Sequence, residues 1–204
     1  MTPRPADVQE FLDTALAAFA ARVADPRAAA SLARIGAALQ RPGTVSAEPG
    51  ARLPVCDLLE GVADPERFEA PDLRRVVRAF AVIEPRLVWR RRGGDRPNAS
   101  GNFLDGHANA LITGPGGLER RADVWLGVSL MAPHVRYPDH THPPEETYLV
   151  LSEGEFRHGA SGWFSPGPGG TLYNEPGIGH AMRSGAEPLL AFWALWAGSG
   201  AIRG

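Results

Sequence analysis

Along residues 8–19 the apolar side chains Val8, Phe11, Leu12, Ala15 and Phe19 return at steps of three and four. That spacing lays one stripe along a helix of about five turns. Asp25-Pro26 then offers a cap and a first-turn proline for a second helix. Its Leu32, Ile35 and Leu39 share a side, and Pro42-Gly43 ends it. Leu73, Val76, Val77 and Phe80 repeat the helical spacing between Pro71 and Ile83, ahead of Pro85. These helices read as packing and subunit-contact surfaces. A DNA-reading helix-turn-helix is disfavoured, because residues 1–41 carry five Arg against four acids and so form no basic face.

From Arg86 onward the period shortens. Leu87–Arg90, Ala110–Thr113, Val124–Leu130, Thr147–Leu151, Thr171–Tyr173 and Leu189–Trp196 are short β-like runs separated by Gly, Pro, Asn and Asp. Strands at this spacing, with no long helical pattern between them, predict an antiparallel barrel or jelly roll. The expected organisation is a mainly β chain: residues 1–85 as a helical extension packed on a barrel of residues 86–204. The polar, Gly-rich stretch 91–108 reads equally as a mobile loop over a site or as a disordered surface excursion. Arg90-Arg91-Arg92, just before it, reads as a solvated loop edge.

Composition narrows the chemistry. All 21 basic residues of the 204 are Arg, so a Schiff-base lysine, a lysine base and a P-loop lysine are all excluded. The net charge of −2, with arginines dispersed, argues against sequence-independent nucleic-acid binding. The single cysteine, Cys56, forbids an internal disulfide and reads as a small buried apolar residue. No run approaches the ~18–20 apolar residues of a membrane span, and Met1–Glu10 lacks the pattern of a secretion signal. A cytoplasmic protein, monomer or homodimer, is the expectation.

Four of the six histidines fall between His134 and His158, and the dense segment is Tyr137-Pro-Asp-His-Thr-His-Pro-Pro-Glu-Glu-Thr-Tyr148. On a regular strand His140, His142, Glu146 and Tyr148 would share a face, with the Pro143-Pro144 kink as the weak link. His180, after the turn Pro176-Gly-Ile-Gly, offers a further ligand from a neighbouring strand. Two or three imidazoles with one carboxylate suit Fe²⁺, Zn²⁺, Mn²⁺, Co²⁺ or Ni²⁺, the first three being the expected ions, and leave positions open for substrate. Glu145 would point away on a regular strand. His134 and His158 read as structural or exposed.

In His140-Thr-His142-Pro-Pro-Glu-Glu146 the sequence resembles the first motif of the cupin superfamily. Gly170, Pro176, His180 and Ser184 match the second motif loosely. Gly154 comes one residue late, Pro176 stands one residue closer to the histidine than usual, and Ser184 replaces the usual Asn. Tyr137 lies five residues before His142, Tyr148 two after Glu146, and His180 lies 38 beyond His142. With the helical extension, this layout resembles the bacterial cupin-type dimethylsulfoniopropionate (DMSP) lyases, closely over the C-terminal half and in layout elsewhere.

The resemblance implies that His142, Glu146 and His180 hold a divalent metal, with His140 a further ligand, a group just outside the ligand set, or a donor to substrate. It implies Tyr148 as the base or as a metal-linked phenolate, and Tyr137 as substrate anchor or alternative base. The reaction implied is β-elimination of DMSP to dimethyl sulfide and acrylate, starting with removal of a weakly acidic proton α to a carboxylate. Substrate binding is expected from Tyr137, His140, Trp193 and Trp196. Trp125, Trp163 and Tyr173 are further aromatic faces that a sulfonium could meet by cation–π attraction, worth about 0.5–2 kcal/mol each. The alternatives are another small metal-dependent cupin enzyme, an isomerase or a dioxygenase, and a ligand-binding cupin without turnover.

Overall fold

The apolar stripes become α1 (Ala6–Arg22), α2 (Pro26–Leu39) and, after a short α3 (Leu59–Val62), α4 (Pro71–Ile83) in a computed structural model that describes residues 3–198. The predicted cap of α2 is in place: the Asp25 carboxylate accepts the Arg27 N–H at 2.8 Å, and Pro26 opens the first turn. Each stripe is buried. Val8, Phe11, Ala15 and Phe19 of α1, Ile35 of α2, and Val76, Val77 and Ile83 of α4 are fully inaccessible.

The strands follow as β1 (Thr44–Val45), β2 (Trp89–Arg90), β3 (His107–Gly114), β4 (Glu119–Arg120), β5 (Val124–Met131), β6 (Glu145–Val150), β7 (Glu155–His158), β8 (Thr171–Asn174), β9 (His180–Arg183) and β10 (Leu189–Trp196). A short helix, α5 (Phe103–Gly106), precedes β3. One sheet runs β1-β4-β3-β5-β10-β6-β8, with β2 also paired to β3, and β7 pairs with β9 in a second sheet. Bridges Arg136↔Arg183 and His140↔His180 tie the chain after β5 to β9. The architecture is the cupin jelly-roll barrel with an N-terminal helical extension. β1 lies within the helical segment and extends the sheet edge through β4.

Both faces of the central strands are buried, for different reasons. Leu126, Val128 and Leu130 of β5, Leu149 of β6 and Leu190, Phe192 and Ala194 of β10 join the helices in one core. The Phe192 ring meets Phe11 at 5.5 Å and Phe80 at 5.3 Å, both edge-to-face, which adds to the area each ring buries. The alternate residues Met131, Tyr148, Val150, Leu189 and Ala191 form a second core inside the barrel. Period-2 geometry thus divides each strand between the helical cover and the interior.

The cover is also held by charge. The fully buried Glu119 of β4 accepts Arg4 Nε at 2.5 Å, Arg121 Nη1 at 3.2 Å and the Gly43 N–H at 2.8 Å. Among the described residues no helix is long and apolar enough to cross a membrane.

Stretch 91–108 borders the barrel cavity through Arg91 and Arg92, as a loop over a site would, and is hydrogen-bonded to the segment after β5. Ser100 N–H donates to Arg136 O (3.1 Å), Asp139 N–H to Pro97 O (3.0 Å), and Asn98 Nδ2 to Asp139 (2.7 Å). The reading of Arg90–Arg92 as a solvated edge needs correction at its last residue. Arg91 is exposed and bonded to Asp105, but Arg92 is partly buried and turns toward the barrel interior.

Candidate active site

A cavity of about 550 Å³ opens into the barrel. Tyr137, His140, His142, Glu146 and Tyr148 line it together, with Arg92, Asn109 and Trp193 on the neighbouring walls. The regular strand expected through residues 140–148 is absent, because the Pro143-Pro144 pair delays β6 until Glu145. The residues converge by another route. His140 and His180 exchange both main-chain hydrogen bonds (3.1 and 2.9 Å), bringing their rings to 4.0 Å. His142 is held where its carbonyl accepts the Gly177 N–H at 3.0 Å, at a turn whose φ of 75° suits glycine.

Each of these histidines turns one ring nitrogen onto a carbonyl two residues away. Nδ1 of His140 faces Pro138 O at 2.9 Å, that of His142 faces Pro144 O at 2.8 Å, and that of His180 faces Ile178 O at 3.0 Å. A carbonyl only accepts, so in the neutral ring Nδ1 carries the hydrogen and Nε2 keeps its lone pair. One ligand nitrogen from each ring lies within 4.8 Å of the others. Glu146 Oε2 stands 3.3 Å from His142 Nε2 and 3.2 Å from His180 Nε2. Both of those nitrogens are buried without a hydrogen-bond partner. Lone pairs converging on a buried carboxylate are repulsive unless a cation, a proton or a metal ion, lies among them, so the residues present fit a divalent ion.

Burial alone would raise the Glu146 carboxyl pKa, but the His142 and His180 rings overcome it and hold the group well below the usual carboxylate range. Burial likewise opposes protonation of His142, yet Glu146 outweighs it and the pKa rises. Burial, reinforced by the neighbouring His180, pushes His140 down to about 3. It drives the Tyr148 phenol well above its ordinary value, with Glu146 adding to the effect. Tyr137 is raised by burial too, opposed by Arg92 and Asn109.

Three residues outside the predicted set complete the arrangement. Asn174 of β8, fully buried and paired with Glu146 across the sheet, donates Nδ2 to Glu146 Oε2 at 3.2 Å. Its Oδ1 faces His158 Nδ1 at 2.9 Å, so His158 supports this contact. Asn109 of β3 donates to the Tyr137 hydroxyl at 2.7 Å. Arg92 is the third, with its Cζ 5.8 Å from the Tyr137 ring centroid. The readable signal was a polar residue inside an apolar alternating run, as in Ala108-Asn109-Ala110.

Among the aromatic candidates, Trp193 and Trp125 line the cavity. Trp193 Nε1 donates to Ser129 Oγ at 3.0 Å, and its indole occupies the space over Gly127, where a Cβ would come within 2.4 Å of the ring. Trp196, expected to bind substrate, does not reach the cavity. Three residues beyond Trp193 on the same strand, it points to the opposite face and lies under Arg34, 5.9 Å from Cζ to ring. Tyr173 also lies on that outer side, donating to Glu145 Oε2 at 2.5 Å, while Arg34 pairs with the other Glu145 oxygen. Trp163 stacks on the guanidinium groups of Arg136, Arg157 and Arg183, outside the cavity lining.

Known proteins resemble the chain over most of its length. The family model for dimethylsulfoniopropionate lyase matches residues 27–191. The chain is 31% identical over 149 residues to the dimethylsulfoniopropionate lyase DddQ of Ruegeria pomeroyi, spanning 72% of this chain and 71% of that protein. The crystal structure of DddQ from Ruegeria pomeroyi DSS-3 superposes with a TM-score of 0.70 at 24% identity, over 95% of this chain and 92% of that one. A chain from the crystal structures of the DMSP lyases RdDddP and RnDddQII gives 0.72 at 23%, over 96% and 94%. The solved structures share the fold, and the sequence match over most of the chain shows the lineage: this protein belongs to the DMSP lyase family of carbon–sulfur lyases.

Proposed function

We propose that the protein cleaves DMSP to dimethyl sulfide and acrylate in this cavity, with a divalent metal ion held by His142, Glu146, His180 and His140 and with Tyr148 as the base. The observation that carries the reading is the convergence of the His142 and His180 Nε2 lone pairs on the Glu146 carboxylate, with a His140 ring nitrogen within 4.8 Å of theirs and a buried phenol beside them.

A divalent ion bound there supplies positive charge that favours phenolate over phenol and stabilises charge developing on the substrate's carboxylate. Tyr148 Oη takes the α proton; the Cβ–S bond breaks, its electron pair leaves on sulfur, and a Cα=Cβ bond forms. DMSP thus gives dimethyl sulfide, acrylate and a proton that Tyr148 passes to solvent. Dimethyl sulfide leaves neutral, so no general acid is required. Tyr137, held by Asn109, orients the substrate. The Trp193 and Trp125 faces meet the sulfonium, which cannot donate a strong hydrogen bond. Fe²⁺, Zn²⁺ and Mn²⁺ all suit the mixed nitrogen and oxygen donors.

The test is turnover of DMSP by protein loaded separately with Fe²⁺, Zn²⁺ and Mn²⁺, reading dimethyl sulfide and acrylate together. Tyr148→Phe is expected to abolish turnover while metal content is retained. Loss in Tyr137→Phe with Tyr148→Phe active would move the base to Tyr137. No acrylate with any ion, or oxygen uptake with Fe²⁺ in its place, would sink the lyase assignment.

A further inference from the structure

We propose that Arg92 anchors the substrate's carboxylate, and so decides which end of the zwitterion faces Tyr137 and which faces Trp193. The inference rests on the lyase reading of the same cavity and assigns a specificity residue to it.

All three consecutive arginines border the cavity, but Arg90 and Arg91 are exposed and Arg92 is the one that is partly buried. Arg91 next to it is engaged by Leu104 O at 2.6 Å and Asp105 at 2.8 Å. Arg92, among the described residues, has no carboxylate within ion-pair distance, and its Nε is buried without a hydrogen-bond partner. An arginine donor kept dry and unpaired in a cavity wall is costly unless a ligand completes it.

The position of Arg92 is imposed from behind. Its main-chain N–H donates to His107 Nε2 at 2.8 Å. His107 is fully buried, lies flat on Phe103 (3.8 Å between ring centres, 7° between planes), and turns Nδ1 to Phe103 O at 2.5 Å. Burial lowers the His107 pKa, so the ring stays neutral and Nε2 remains an acceptor. The guanidinium is thereby held against the Tyr137 ring rather than left to wander in the loop.

The charge distribution then gives the cavity a direction. A guanidinium matches a carboxylate in shape and charge and repels a sulfonium. Trp193, three strands away in the order β2-β3-β5-β10, supplies an aromatic face with the opposite preference. At one strand spacing per step β2, which ends two residues before Arg92, is about 14 Å from β10, and both side chains line the cavity. A β-sulfonio carboxylate entering with its carboxylate toward Arg92 places its cation on the tryptophan side.

Two half-ligands separate this from a structural role: acrylate carries only the anion, trimethylsulfonium only the cation. Binding of each to metal-loaded wild type, Arg92→Gln and Arg92→Lys is measured by calorimetry, alongside KM and kcat for DMSP. Arg92→Gln is expected to weaken acrylate by about 10- to 100-fold. Trimethylsulfonium binding stays unchanged, KM for DMSP rises more than kcat falls, and Arg92→Lys recovers part of the loss. Acrylate binding equal to wild type in Arg92→Gln overturns the proposal, as does equal loss of both probes in both variants. Wild type that turns over DMSP while the variants behave in these ways fails Arg92 alone. Wild type that releases no acrylate fails the lyase reading, and the Arg92 assignment with it.

Discussion

Trp193 and Tyr148 stand directly opposite one another on the antiparallel strands β10 and β6, both turned into the barrel. The phenol assigned to proton removal and the indole assigned to the sulfonium therefore share one wall. Neighbouring strands keep such pairs within contact distance. Replacing Trp193 by Leu keeps apolar volume but removes the π face. The expected result is KM for DMSP raised by about 2- to 30-fold with a smaller change in kcat. Steady-state kinetics checks it, and an unchanged KM would remove Trp193 from the sulfonium site.

Asn174 orients Glu146 without standing in the cavity itself. Asn174→Ala leaves one carboxylate oxygen free to rotate away from the two histidines. Metal affinity should fall by about 10- to 100-fold, read by competition with a chelator of known affinity. His158→Ala, one bond further out, should show a smaller loss, because Asn174 keeps its contact to Glu146. Equal affinity in Asn174→Ala and wild type would show that the carboxylate needs no such support.

Glu119 links stability to pH. Burial would raise its pKa, but Arg4, the Gly43 N–H and Arg121 outweigh burial and lower it. A carboxyl with a depressed folded-state pKa stabilises the fold above its unfolded value of roughly 4.3 and loses that contribution as pH falls through the folded value. Stability should decline below about pH 4.3. Glu119→Gln should already be less stable at pH 7, by about 3 kcal/mol, since it removes the carboxylate partner of the buried Arg4, while Arg121 keeps Asp123. Its acid limb should also be flatter, and urea unfolding across pH 3–7 on the order of ten points reads both effects.

The triangle of Phe11, Phe80 and Phe192 joins the helical cover to the outer face of the sheet. Phe192→Ala should cost about 3–5 kcal/mol. Phe192→Leu, which keeps most of the volume, should cost far less. Denaturant midpoints measure both, and similar losses in the two variants would mean that ring geometry outweighs volume there.

The sequence carried the parts of this fold that have contrast. α1, α2 and α4 bury one face, and their stripes are visible as a period. The longer strands stand out as apolar runs. β1, β4, β7 and β9 escaped notice because they are two to four residues long, and Glu155–His158 and His180–Arg183 carry charges and histidines rather than an alternating apolar pattern.

The site divides along the same line. His140, His142, Glu146, Tyr148 and His180 were legible because their spacing in the chain is itself a pattern. Asn174 and Arg92 were not, because Asn174 meets Glu146 through cross-strand register and Arg92 is placed by a buried histidine, neither of which leaves a local mark, while Asn109 left only a polar break in an apolar run. Trp196 was misplaced for a related reason. β10 is apolar on both sides, so composition gives no parity signal, although an odd separation from Trp193 on a strand already requires opposite faces.

The histidine rings take their directions from carbonyls two residues away in their own chain segments. Their aim is thus set by the main chain. On the proposed metal reading, ion uptake is expected to be capture by a standing receptor rather than assembly around a template. Chelation should empty the centre and re-addition refill it with the far-ultraviolet circular dichroism unchanged throughout, so that ions can be exchanged in one folded sample.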